Sequence, residues 1–240
     1  YSEGGKWETA AKDGFCFDVL STLIFLSGCT EKLKLLSSVL VVPYRPPVLT
    51  AKMLSTADVL SEGRIILGIG AGWLEEEFDA LGVPWARRGA RNDEYIEAMR
   101  TLWSGPEVEF HGEFVDFPKV TCSPRPVQPT IPILVGGDSD VAIRRAARLA
   151  DGYFPGEGDV DRLAALITRV RQAAEDAGRD PDEIEINAMF STQMTDPVAG
   201  VEKFTELGVG RIMVPAFFFA GDGGLDRMDE FAGRTIAAGT

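Results

Sequence analysis

Two glycine clusters stand where a ligand could be held: Gly68-Ile-Gly70-Ala-Gly72-Trp73 and Gly136-Gly137-Asp138-Ser139, each at the end of a short apolar run. Glycine has no Cβ and tolerates unusual φ, so such backbone can come close to a planar group. A dinucleotide fingerprint G-x-G-x-x-G starting at 68 needs glycine at 73, and one starting at 70 needs it at 75. Those positions are Trp73 and Glu75, and the Rossmann reading fails. A tight turn leaving a strand explains the first cluster equally well. The second precedes a predicted helix, whose free N–H groups and dipole suit a phosphate. Against this, Asp138 sets a negative charge where the phosphate would sit, and Asp138 or Ser139 serves as an ordinary N-cap.

The remaining reactive side chains are sparse. His111 is the one histidine and falls in a predicted hairpin turn, which leaves little for a Ser-His-Asp triad or a histidine metal site. No metal is expected. Glu75, Glu76 and Glu77 could offer a carboxylate for proton transfer, but their default is a solvated helix N-terminus. Arg87, Arg88 and Arg91 could meet an anion, and ion pairs with Asp93, Glu94 or the Glu75 to Glu77 run account for them as well. Cys16, Cys29 and Cys122 form no CxxC pair and leave one odd, which points away from a disulfide framework and towards a reducing cytoplasm. Phe217, Phe218 and Phe219 read as core or interface. No catalytic residue can be named.

These residues must be positioned by a strand and helix alternation. Residues 1–14 read as a loop, and 15–26 as an apolar segment stopped at Ser27 and Gly28. Residues 35–42 form one strand buried on both faces and closed by Pro43. A helix over 48–60 puts Leu49, Met53, Ala57 and Leu60 on one face before Gly63 ends it. Residues 65–69 are a strand, and 90–103 a helix with Ile96, Met99, Leu102 and Trp103 inward. Residues 105–132 break the rhythm as an insertion, a β-hairpin in EVEFHGEFVDF followed by a proline-rich connector at Pro124, Pro126 and Pro129. Strands at 133–135, 153–154, 184–190 and 212–214 then alternate with helices at 139–150, 160–177, 198–207 and 225–237. This order implies a parallel α/β sheet, open or closed as a barrel, in a single domain over 1–240 of about six units. The 240 residues carry 24 Lys and Arg against 37 Asp and Glu, a formal charge of −13 that disfavours nucleic acid and anionic lipid. No run reaches the roughly 20 apolar residues of a spanning helix, so no membrane partner and a soluble, cytoplasmic protein are expected.

Taken in order, GRIILGIGAGWLEEEFDALGVPWARRGARNDEYIEAMRTLW, FHGEFVDF, PRPVQPTIPILVGGDS and AARLADGYFP resemble the bacterial luciferase-like flavin and deazaflavin oxidoreductases, most of all the branch dependent on coenzyme F420. The resemblance implies a TIM (β/α)₈ barrel of the luciferase-like type, with the β-hairpin insertion after the fourth family strand. It implies that the first two strands, the first helix and the histidine that faces the flavin in full-length relatives are absent. It also implies a non-prolyl cis peptide at Ser38-Val39 behind the flavin ring. Gly70, Ala71, Gly72 and Trp73 would line the ring and ribityl side, and Gly136 and Gly137 the ribityl phosphate. The implied reaction is hydride transfer between F420 and a small organic substrate, in a homodimer. The alternatives are an FMN-dependent monooxygenase and a non-catalytic flavin-binding relative.

Overall fold

The computed structural model describes residues 17–190 and 196–236, in two compact units, Tyr1–Ile133 and Leu134–Thr240. The loop expected over 1–14, with Phe15 and Cys16, lies outside the described residues.

In the first unit, α1 (Val19–Cys29) starts at Asp18, whose carboxylate accepts the Ser21 N–H at 2.9 Å. Gly28 does not stop it, contrary to expectation. The Ser27 and Thr30 hydroxyls donate to the carbonyls of Ile24 and Leu26 at 2.7 Å, so side chains satisfy the last turn and the helix runs on to Cys29.

The apolar run 35–42 is not one strand. It forms β1 (Leu35–Leu36) and β2 (Leu40–Val41), both parallel to β3 (Ile65–Gly70), with Leu35 opposite Ile65 and Leu40 opposite Ile69. Between them the Ser37 N–H donates to the Ile66 carbonyl at 3.2 Å and its hydroxyl to the Gly68 carbonyl at 2.8 Å, and the Ser38-Val39 peptide is cis.

Helix α2 (Pro47–Leu60) begins with proline at its first position, where no N–H is needed. Its inward face is Ala51, Leu54, Ser55 and Asp58, whereas Leu49 and Leu60 are 56% and 57% exposed. The predicted stripe was rotated because Asp58, fully buried, turns inward to accept the N–H groups of Val127 and Gln128 at 2.8 and 3.1 Å and the Gln128 side-chain amide at 2.7 Å. Two residues of the proline-rich connector thereby gain an anchor far from it in sequence.

Helices α3 (Glu75–Leu81) and α4 (Arg88–Ser104) follow, α3 with its three glutamates in the first turn. Ile96, Met99, Leu102 and Trp103 of α4 are buried as expected, and the Trp103 indole donates to the Ala51 carbonyl of α2 at 3.2 Å. Strands β4 (Val108–His111) and β5 (Asp116–Val120) pair antiparallel as the expected hairpin. His111 closes the ladder rather than making the turn, opposite Asp116.

The second unit holds β6 (Ile133–Gly136), α5 (Asp140–Leu149), β7 (Gly152–Phe154), α6 (Val160–Asp176), β8 (Glu185–Met189), α7 (Pro197–Glu206), β9 (Val209–Met213) and α8 (Gly224–Thr235). Strands β6, β7, β8 and β9 are parallel neighbours in that order. Leu134, Val135, Tyr153 and Ile186 are buried in them, with Leu163, Ile167 and Val170 buried on α6. Among the described residues no helix is long and apolar enough to cross a membrane, and no group of three His, Cys, Asp or Glu is arranged to hold a metal.

Candidate functional site

In the first unit the break between β1 and β2 and the glycine cluster after β3 are one local assembly. A Cβ on Gly68 would run into the Ser37 carbonyl oxygen, so only glycine lets residue 37 fold across β3. At Gly70 a Cβ would lie 3.1 Å from Cγ2 of Val39, which brings two of the sequence-selected positions into contact. Gly72 has φ +85° and lies over the Phe78 ring, which a Cβ would meet at 2.6 Å. Ser38 is exposed, Val39, Gly70, Ala71 and Gly72 are half-buried, and Trp73 is 59% exposed. The result is a strand end whose glycines are closely packed by neighbours, with an accessible indole beside it.

An aromatic row supports this loop. Phe78 meets Tyr44 edge-on at 4.8 Å and Trp85 at 5.0 Å. The Tyr44 hydroxyl donates to Glu77, so one carboxylate of the acidic run is engaged rather than merely solvated. Arg88 lies 3.5 Å over the Trp85 ring and donates from Nε to the Gly72 carbonyl at 3.1 Å. The other arginines are also claimed: Arg87 forms a two-pronged pair with Glu113, and Arg91 donates to the Pro84 carbonyl at 2.7 Å.

Glu94 is a residue the sequence reading weighed only as an ion-pair partner. Its carboxylate accepts three main-chain N–H groups of the hairpin turn, from Glu113 at 3.0 Å, Phe114 at 2.6 Å and Val115 at 2.8 Å. His111 sits at the base of that turn with Nδ1 2.8 Å from Asp116, and this hydrogen bond and the carboxylate's charge raise the imidazole pKa above its ordinary value.

In the second unit Gly136 and Gly137 end β6. Gly137 has φ +110°, its carbonyl accepts the Tyr153 hydroxyl at 3.0 Å, and its N–H donates to the Phe154 carbonyl at 3.3 Å. Tyr153 is fully buried, and that burial pushes its phenol pKa up, so it stays a donor. Ser139 is the N-cap of α5, accepting the Ala142 N–H at 3.2 Å. Asp138 instead accepts the Gly156 N–H at 3.1 Å, which ties this loop to the one after β7. Asp140 pairs with Arg169.

A family model described as luciferase-like monooxygenase matches residues 5–203. An uncharacterized protein of Mycobacterium tuberculosis is 44% identical over 190 residues, covering 79% of this chain and 64% of that protein. An FMNH(2)-dependent dimethylsulfone monooxygenase of Pseudomonas putida is 35% identical over 178 residues, covering 72% of this chain and 48% of the enzyme. Among solved structures, the coenzyme F420 dependent tetrahydromethanopterin reductase from Methanopyrus kandleri matches with a TM-score of 0.64 over 90% of this chain and 64% of its own, at 23% identity, a likeness of fold. The chain therefore spans less than two thirds of the length of these relatives.

Proposed function

The chain belongs to the luciferase-like monooxygenase family, with an α/β fold of its TIM-barrel type, and from that premise we propose that it is an oxidoreductase binding a flavin-type ring, coenzyme F420 in the leading reading. The observation that carries the assignment is the packing of Val39 on Gly70 at the C-terminal ends of β2 and β3, the end at which parallel α/β folds place their ligands. The half-buried residues 70 to 72, with Trp73 exposed at their edge, would be the surface offered to a planar ring.

Ser38, Val39, Gly70, Ala71, Gly72 and Trp73 would hold the ring, with Arg88 fixing the direction of the Gly72 carbonyl. The expectation that Gly136 and Gly137 take a phosphate stays with the second unit by itself, where Tyr153 holds the Gly137 carbonyl and the Gly156 N–H meets the Asp138 carboxylate. When bound, F420 supplies hydride transfer to or from a small organic substrate, and the protein's part is binding and orientation.

Titrating the purified chain with oxidised F420, followed by cofactor fluorescence, tests this reading. Saturable binding is expected, weakened about tenfold or more in Gly70→Val. FMN binding with no F420 binding overturns it in favour of the second reading, an FMN-dependent monooxygenase, which the 35% identity to the dimethylsulfone enzyme favours. A purely flavin-binding role is eliminated by hydride transfer from reduced cofactor to any substrate. A homodimer belongs to the same proposal: Phe25, Leu33, Leu49 and Leu60 are each more than half exposed, and light scattering should give about twice 26.0 kDa.

A further inference from the structure

A cleft of about 360 Å³ opens in the first unit between the loop after β2, the helix α4 and the hairpin turn. That volume lies within the range of small-molecule sites, roughly 300 to 1,000 Å³. Its walls are mainly apolar and stiff, among them Pro43, Pro46, Pro47, Val83 and Phe114. The prolines fix their own φ, and the hairpin wall is pinned by the three N–H groups that Glu94 accepts. Phe114 is further held by the guanidinium groups of Arg87 and Arg91, each 4.9 Å from its ring.

The charged side chains lining the cleft already have partners. Arg45 pairs with Asp18, and Asp116 with His111. The Tyr44 hydroxyl is given to Glu77. What remains is Tyr95, whose hydroxyl has no hydrogen-bond partner among the described residues. Burial, the main influence on it, raises its pKa, so it is a neutral donor at physiological pH.

We propose that this cleft is a second small-molecule site, taking an uncharged molecule with an aromatic or alicyclic body and one hydrogen-bond acceptor, received by the Tyr95 hydroxyl. An ionic ligand would have to displace an internal ion pair or lie unpaired against proline and aromatic surface, which is costly. An apolar body with a carbonyl meets both the walls and the free phenol. The site stands apart from the cofactor assignment, although Tyr44 belongs to its wall and also packs on Phe78 beneath Gly72.

The test uses the full chain with no cofactor added and three probes read by ligand-observed NMR: acetophenone, ethylbenzene and benzoate. Acetophenone should bind saturably and benzoate about tenfold more weakly. Tyr95→Phe should weaken acetophenone about fivefold, the loss of one neutral hydrogen bond, and leave ethylbenzene unchanged. Val115→Trp and, as a second variant, Val83→Trp should fill the cleft and abolish binding of both while the circular dichroism spectrum stays native. The proposal is overturned by no saturable acetophenone binding, by benzoate binding as tightly, by Tyr95→Phe weakening both neutral probes alike, or by binding that survives a folded tryptophan variant. Because no cofactor is present, failure here is separate from failure of the F420 titration.

Discussion

The two glycine loops require glycine for different physical reasons. In the loop after β3 the missing side chains are demanded by neighbours: the Ser37 carbonyl at Gly68, Val39 at Gly70 and the Phe78 ring at Gly72. In the loop after β6 the space around Gly137 is ample, since a Cβ would find only Ala142 at 3.4 Å, an ordinary contact. There glycine is required by φ +110°, and the loop is held by polar ties from Tyr153 and Gly156. The first loop is thus part of the packing of its sheet, whereas the second is a tethered turn beside a helix. Only the first should transmit a substitution into the strands.

The sharpest way to break this contrast is Gly68→Ala. The added Cβ strikes main chain, which cannot rotate away, and should cost about 3 kcal/mol, read as a lowered urea midpoint. Gly137→Ala should cost less, about 1 to 2 kcal/mol, from backbone conformation alone; a loss equal to that of Gly68→Ala would dissolve the distinction. Tyr153→Phe keeps the ring packed and removes only the hydroxyl tie to Gly137, an expected loss of about 1 kcal/mol in the same denaturation experiment. The smallest effect lies outside both loops. The imidazole NMR signal, single because His111 is the only histidine, should titrate above 6.5 and return towards that value in Asp116→Asn. The sign follows from the raised pKa: the His111 to Asp116 tie is fully present below the unfolded value and is lost as pH rises through the folded one.

Much of the scaffold was legible in the sequence because its elements are local. Apolar runs at 65–69 and 133–135 became buried strands, and the 3.6-residue spacing of Ile96, Met99, Leu102 and Trp103 set the inward face of α4. The same reasoning misplaced part of the face of α2, where Ala57 is buried as expected but Leu49 and Leu60 are exposed and Asp58 turns inward. Its burial is stabilised by Val127 and Gln128, about seventy residues away, which no periodicity contains. The break in the run 35–42 likewise depends on Ser37 meeting Ile66 and Gly68 across β3. Family resemblance, rather than residue chemistry, supplied the cis Ser38-Val39 peptide. The roles of Arg88, Tyr153 and Glu94 were not legible for a shared reason: each acts on main-chain groups of distant residues, and main chain leaves no trace in residue type.

That last property of Glu94 has a practical side. A carboxylate that grips a turn only through its N–H groups is blind to the side chains the turn carries. Positions 113 to 115 can therefore vary in side chain while the anchorage persists, provided none becomes proline. The tip of the hairpin is a natural graft point, where a different loop could be spliced in and the adjoining wall recut without redesigning the helix that holds it.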